Sequence, residues 1–253
     1  MQLEEVRAIV TGAASGLGYS FALELARAGA TVAAGDIDSY GLDRLKIETA
    51  NLSGAVLVRK LDVSHESSVV EFVKEASEHL KGVNLLVNNA GILRDGLLVK
   101  PEPGWVKKLP TALWKQVIDV NLTGPYLMAR EMVAEVLKRG VKESIIVNIS
   151  SISRAGNPGQ SNYAASKAGL DAITRTWGRE LAEHGVRVGG IAPGLIDTPI
   201  LKHVSDESKA SMISEIPLRR IGTPYEIWLA LKFIIECDYF TARVIEVDGG
   251  SNF

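Results

Sequence analysis

The chain has 253 residues, 46% apolar and 23% charged, with 28 basic against 30 acidic side chains and a formal net charge of −2. At ~150 residues per domain this length suits one large α/β domain or two small ones, and the near-average composition excludes disorder, collagen and coiled coil for the whole chain. With no basic excess and an isoelectric point near 6.1, nothing draws the protein to phosphate backbones, so no nucleic-acid partner is expected.

Residues 6–11 (VRAIVT) read as a short, nearly continuous apolar strand. A glycine turn follows at Gly12, then a helix over 17–28 whose Leu17, Phe21 and Leu25 recur every fourth position and make one buried face. Gly29 sits where a capping glycine ends a helix. The second strand, 31–35 (TVAAG), is small and apolar without alternation, which suits a parallel strand covered on both faces. The pattern repeats: strand 55–61, amphipathic helix 66–80 with Val69, Phe72, Val73 and Ala76 inward, strand 83–88, a long and mostly helical stretch 114–139. Strand 144–149, helix 163–184, strand 186–191, helix 225–236 and a closing strand 244–247 complete it. Strands alternating with helices imply right-handed crossovers. The predicted fold is therefore α/β, a single doubly wound parallel sheet of Rossmann type with helices on both faces, spanning 1–253. Two segments are expected to be weakly ordered: an insertion at about 99–111, rich in Pro and Lys, and a helix-compatible substrate lid at about 198–217.

The lone cysteine, Cys237, has no disulfide partner and reads as a core-filling thiol in a reducing compartment. The first residues carry no basic and long apolar signal regions, and no apolar run approaches ~18 residues. A cytoplasmic protein with no membrane partner is expected. No metal-ligand cluster is evident, so no metal is expected.

Thr11-Gly-Ala-Ala-Ser-Gly-Leu-Gly18 lies between the first strand and the first helix. Gly12, Gly16 and Gly18, with Ser15 and Leu17 among them, permit a tight turn and close backbone approach, and the helix N-terminus offers free N–H groups to a pyrophosphate. Asp36 ends the second strand, 18 residues past Gly18, where a carboxylate accepts from the adenosine ribose hydroxyls and repels a 2′-phosphate. Its neighbours Ala13, Ala14 and Ile37 carry no compensating charge, so NAD rather than NADP is the predicted cofactor.

Tyr163-Ala-Ala-Ser-Lys167 puts a phenol and an ammonium four residues apart on one helical face. A nearby ammonium stabilises phenolate, so a depressed Tyr163 pKa is predicted, fit for general acid/base work near neutral pH. The preceding strand ends in Asn148-Ile-Ser150-Ser151, and hydroxyls at the carboxyl end of a parallel strand face the ligand crevice.

Together these motifs resemble the short-chain dehydrogenase/reductase family over essentially the whole chain. Thr11 to Gly18 matches its TGxxxGxG. Asp62 and Val63 match its adenine-contacting acid segment, and Asn88-Asn89-Ala90-Gly91 its NNAG. Asn121, Ser151, Tyr163 and Lys167 match its catalytic tetrad, and Pro193, Gly194, Ile196 and Thr198 the segment along the nicotinamide and its phosphate. The resemblance implies that Ser151 donates to the substrate oxygen, Tyr163 exchanges a proton with it, Lys167 holds the nicotinamide ribose, and Asn121 supports a relay water. Residues 91–98, 156–163 and 246–250 are similar to the 3-oxoacyl-carrier-protein reductase-like branch. That similarity implies a small-molecule alcohol/ketone or acyl thioester substrate, handled by an NAD(H)-dependent enzyme; the alternative is a dinucleotide-binding sensor or scaffold without turnover. Ser150 stands thirteen residues before Tyr163, the spacing common in relatives, and Ser151 twelve; the register after Asn148 favours Ser151. Lys138, Arg139 and His184 at helix ends, and Trp105, Lys107 and Lys108 in the insertion, are basic or aromatic positions near the active-site side, while His203 in the lid reads as exposed and idle. By resemblance, the long helices within 122–139 and 163–184 pair across a homotetramer interface, and Phe253 helps complete a second one.

Overall fold

The computed structural model describes residues 1–199, 201 and 206–251; His203 and Phe253 lie outside them. Seven strands form the main sheet: β1 (Arg7–Thr11), β2 (Thr31–Asp36), β3 (Ala55–Lys60), β4 (Leu85–Asn88), β7 (Ser144–Ile149), β8 (Val186–Pro193) and β9 (Arg243–Val247). Their order is β3-β2-β1-β4-β7-β8-β9, and every pairing is parallel. The order reverses between β1 and β4, which opens a crevice at their carboxyl ends.

The apolar runs of the central strands have a direct structural reason. Ala8 and Val10 face one layer, with Phe21 and Leu25 of α1 (Gly16–Arg27), Leu42 and Leu45 of α2 (Ser39–Thr49), and Ile227, Leu231 and Ile234 of α8 (Pro224–Glu236). Ile9 faces the other, with Val69, Phe72 and Val73 of α3 (Glu66–His79) and Met128, Met132 and Val136 of α5 (Gly124–Arg139). Consecutive residues thus serve opposite cores, which is why residues 8–10 are apolar without alternation. Phe21 is fully buried, so Phe21→Ala would cost about 3–5 kcal/mol.

Four differences from the sequence reading have physical causes. Helix α2 was missing from it: its inward face is short (Gly41, Leu42, Leu45, Thr49) and the rest is polar. Its start signal was legible, because the Asp38 carboxylate accepts from the N–H groups of Tyr40 (3.1 Å) and Gly41 (3.2 Å) as an N-cap. The stretch 114–139 begins earlier, as α4 (Thr111–Ile118), and passes through a π-helical turn (Asp119–Thr123) before α5. The insertion is ordered as an antiparallel hairpin, β5 (Val99–Glu102) and β6 (Trp105–Lys108), turning at Gly104 with φ +79°. Helix α6 (Ser161–Glu180) stops short of 184, where a 3₁₀ turn and left-handed Gly185 take over. Within the expected lid, α7 (Asp206–Glu215) is helical as its composition allows.

Cys237 caps the end of α8 and is half-buried, at the rim of the core rather than inside it. Among the described residues, no helix is long and apolar enough to cross a membrane, and no cluster of His, Cys, Asp or Glu could hold a metal ion.

Candidate active site

The glycine turn is shaped by contact as much as by conformation. Gly12 has φ +66° and a Cβ there would meet Ala90 Cα at 2.8 Å; a Cβ on Gly18 would meet the Gly12 carbonyl oxygen at 2.2 Å. The Asn89 side chain pins the turn by donating to the carbonyls of Thr11 (3.0 Å) and Gly12 (3.1 Å). Thr11 Oγ1 in turn accepts from the N–H groups of Asn89 and Ala90, both at 3.0 Å. Ser15 stands at the N-cap of α1 but its hydroxyl makes no capping bond. The first-turn N–H groups of α1 are therefore left without a side-chain cap, which suits an anion. Thr198 lies across the turn, its Cβ 3.8 Å from where a Gly16 side chain would begin.

At the far end of the turn, Asp36 Oδ2 accepts from Ala14 N and Oδ1 from Asp38 N, each at 3.0 Å. Ile37 beside it is exposed. The sequence reading found no cation near Asp36. The structure places a cation on the residue that Asp36 accepts from: Arg44 of α2 donates to the Ala14 carbonyl at 3.2 Å and lies 4.9 Å from the Tyr19 ring. Asp62 carries bonds from Ser64 N (3.0 Å) and Ser64 Oγ (2.6 Å), with His65 at 3.0 Å. Partial burial pushes its carboxyl up, but these partners outweigh it and hold the pKa below the usual range. Val63 packs against Gly124, where a Cβ would meet it at 2.8 Å.

A polar rung crosses the sheet beneath the crevice. Asn88 Nδ2 donates to Asn148 Oδ1 (2.9 Å), and Asn148 Nδ2 to Thr174 Oγ1 (2.8 Å), all three residues being buried. Among the described residues, Asn88 Oδ1 has no hydrogen-bond partner. Asn121 sits in the π turn, fully buried, with Oδ1 accepting from Ile92 N (2.8 Å) and Nδ2 donating to Ile92 O (3.0 Å). It clamps the segment that leaves Gly91, and both ends of its amide are engaged. A π turn inside a helix is a frequent mark of functional sites.

The two candidate serines point to different surroundings. Ser150 Oγ donates to Asp171 Oδ1 at 2.5 Å and faces the Lys167 carbonyl at 3.4 Å, inside the protein. Ser151 Oγ accepts from Ser153 N at 3.1 Å and stands close enough to Tyr163 to oppose the rise in the phenol's pKa. Lys167 Nζ is 5.5 Å from the centre of the Tyr163 ring and donates to the Ile149 carbonyl at 2.7 Å.

One expectation is overturned here. The Tyr163 pKa is raised, not depressed: burial is the main cause, Ser151 opposes it, and the Asp95 carboxylate adds to it. Lys167 is not among the groups that shift it, and burial lowers the lysine's own pKa from 10.5 to about 8, with Asp171 pulling the other way. Helical spacing reports adjacency and says nothing of the desolvation both groups undergo.

Several contributors went unnoticed in the sequence. Asp171 extends the Tyr163–Lys167 series by another four residues, and that spacing was the available signal. It is buried, and Arg154 Nε reaches its Oδ2 at 2.7 Å while Arg154 Nη2 reaches Glu246. Asn162 is buried next to Tyr163 and donates to the Arg94 carbonyl at 3.0 Å. Gly194 donates to the Val247 carbonyl at 3.0 Å and touches Asp248, which sets Pro193 at the end of β8. Ile196 bridges to Gly222. The helix-end cations are engaged locally: Lys138 and Arg139 both pair with Glu135, at 3.2 and 2.9 Å.

A family model described as enoyl-(acyl carrier protein) reductase matches residues 12–252. The 3-oxoacyl-[acyl-carrier-protein] reductase FabG of Thermotoga maritima is 40% identical over 253 residues, 99% of each chain. The chain belongs to the short-chain dehydrogenase/reductase family. Within that family it falls in the 3-oxoacyl-carrier-protein reductase-like branch. Nodulation protein G of Rhizobium sp. (strain N33) is 34% identical over 96% of each chain. Among solved structures, a protein assigned as a gluconate dehydrogenase from Agrobacterium tumefaciens superposes with a TM-score of 0.88 at 31% identity, covering 98% of this chain and 96% of that one. A protein assigned as a short-chain alcohol dehydrogenase from Sinorhizobium meliloti 1021 gives 0.85 at 32%, covering 97% and 96%. Short-chain dehydrogenase/reductases are oxidoreductases that bind a nicotinamide dinucleotide, and the glycine turn of this chain, crowded at Gly12 and Gly18 yet uncapped at the α1 N-terminus, fits that group.

Proposed function

We propose that the protein is an NAD(H)-dependent oxidoreductase interconverting a secondary alcohol and a ketone, with a 3-oxoacyl thioester as the substrate class. The observation that carries this reading is the convergence of Ser151, Tyr163 and Lys167 at the carboxyl end of β7, beside the crevice. The thioester class is drawn from the Thermotoga maritima relative.

Gly12, Ser15, Gly16, Leu17 and Gly18 would cradle the pyrophosphate. Asp36 and Ile37 would take the adenosine ribose side, and Asp62 and Val63 the adenine. Asn89, Ala90, Gly91, Pro193, Gly194, Ile196 and Thr198 would line the nicotinamide half. NADH, when bound, supplies a hydride to the carbonyl carbon. Ser151 donates to the carbonyl oxygen, and Tyr163 Oη passes its proton to that oxygen as charge develops there. A phenol whose pKa burial raises stays protonated at neutral pH, which is the state a proton donor needs. Lys167 holds the nicotinamide ribose. With its side-chain amide engaged by Ile92, Asn121 would brace that segment and with it the place of a relay water. NAD would be preferred over NADP, because the Asp36 carboxylate would repel a 2′-phosphate on the adenosine ribose.

The groove between α5 and α6, lined by Leu122, Tyr126, Ile173 and Trp177, is the proposed contact with a second copy in a homotetramer, and the cytoplasm is the proposed location. The deciding experiment is Tyr163→Phe. Hydride transfer to a 3-oxoacyl thioester should fall by at least ~10²-fold while NADH binding, read by nucleotide fluorescence, is kept. Turnover at the wild-type rate would defeat the assignment and leave a dinucleotide-binding scaffold as the better reading.

A further inference from the structure

We propose that the β5–β6 hairpin is a nucleotide-binding arm that holds the phosphorylated adenosine end of a coenzyme A thioester while its acyl carbonyl lies at Tyr163; this rests on the reductase reading above. The hairpin is tied to the lip of the site. Asn162, adjacent to Tyr163, holds the Arg94 carbonyl at 3.0 Å. Gly96 N donates to Gly159 O at 2.7 Å, and Gln160 Nε2 to Asp95 Oδ2 at 2.9 Å. Leu109 N donates to Leu98 O at 3.0 Å and closes the base. Lys100 lies six positions past Arg94, so its Cα is no further than ~21 Å from that anchor, with Lys107 directly across the ribbon. An extended pantetheine arm, two amides and their linking carbons, is of comparable length.

The register makes the chemistry of the arm specific. Lys100 stands directly opposite Lys107, and Glu102 opposite Trp105, so all four share one face. Like charges directly opposite destabilise an isolated ribbon. Lys100 is partly compensated by Glu102 at 2.9 Å, whereas Lys107 and Lys108 pair with no carboxylate among the described residues. Trp105, the next residue on that face, is 57% exposed. Ammonium groups beside an open indole are what a phosphorylated purine needs, phosphates on the cations and the base stacked on the ring. Residues 99–108 hold three lysines and one glutamate, a net charge of +2 on a chain of −2, so the attraction is local to the arm. A face ~13 Å long on two strands ~5 Å apart, on the order of 100 Å², is matched to a nucleotide and falls far short of the ~800 Å² a protein partner would cover.

The experiment compares acetoacetyl-coenzyme A with acetoacetyl-N-acetylcysteamine, which lacks the nucleotide, in wild type, Trp105→Ala and Lys107→Gln, with NADH oxidation as the readout. Each variant should raise KM for the coenzyme A ester about tenfold at unchanged kcat and leave the short thioester unaffected. A parallel titration of free coenzyme A into the NADH-saturated protein should quench tryptophan fluorescence, and Trp105→Phe should abolish the quench. Equal KM changes for both esters, no change for either, or dependence on the arm only with an acyl-carrier-protein substrate would overturn the proposal. Reduction of neither ester together with coenzyme A binding would refute the reductase reading and leave the arm standing; reduction of both without that binding would do the reverse.

Discussion

Burying Lys167 should make the free protein less stable at neutral pH than at alkaline pH, and the size of the effect follows from the site. The ammonium is inaccessible to water, has the Ile149 carbonyl at 2.7 Å as hydrogen-bond partner, and titrates near 8 rather than 10.5. At ~1.4 kcal/mol per pH unit, holding it charged in the fold costs about 3 kcal/mol. The unfolded chain binds the extra proton between pH 8 and 10.5, so stability rises with pH across that window; below pH 8 the full penalty is present. Lys167→Met removes the titrating group. Urea denaturation of both proteins from pH 6.5 to 10 should show the variant gaining most, relative to wild type, at pH 6.5 to 7.5, with the advantage shrinking by about 2 kcal/mol towards pH 10. The lost bond to Ile149 offsets the gain by about 1–3 kcal/mol at every pH, so the slope carries the information rather than the absolute difference. A difference between the two proteins that stays flat over this range would refute the argument. The variant should also lose turnover, which would make Lys167 a residue kept for chemistry at the expense of stability.

Three further outcomes are expected. Gly18→Ala should abolish NADH binding and lower stability by about 1–3 kcal/mol, because the new methyl would lie 2.2 Å from a backbone oxygen of the turn; isothermal titration and thermal melting check it. Asp36→Ala should bring the affinities for NADH and NADPH closer together by at least ~10-fold, measured by competitive fluorescence titration, since it removes the carboxylate that repels a 2′-phosphate; unchanged discrimination would move the determinant to Arg44. Asp171→Asn should destabilise the fold by about 3 kcal/mol in urea titrations, as expected when one partner of a buried pair is removed. It should also shift the Lys167 titration below 8, because Asp171 is the group that raises it.

The sheet and its flanking helices were legible because the central strands hold uninterrupted apolar runs, as at 8–10, 85–87 and 145–147, and helices packed on them show apolar recurrence, as Leu17, Phe21 and Leu25 do. Helix α2 escaped because only a short part of it is buried, although Asp38 announced its start. The hairpin escaped because Pro101, Pro103 and the lysines look like loop chemistry, while its order depends on anchors at Gly159 and Gln160 that lie about sixty residues away. In the site, the positions of Tyr163 and Lys167 followed from spacing, but their protonation behaviour did not. Desolvation is a property of what closes over a group, here β7 and the turn after it, and no local pattern around residues 163–167 encodes that.

The rung formed by Asn88, Asn148 and Thr174 has a consequence for how the crevice behaves. Amide groups facing one another across neighbouring strands match only in one alignment, so sliding β4 past β7 by a residue would leave Asn88 Nδ2 and Asn148 Oδ1 buried without each other. The separation between the glycine turn on one side and Tyr163 on the other is therefore set while the chain folds, and an arriving dinucleotide finds the width of its berth already decided.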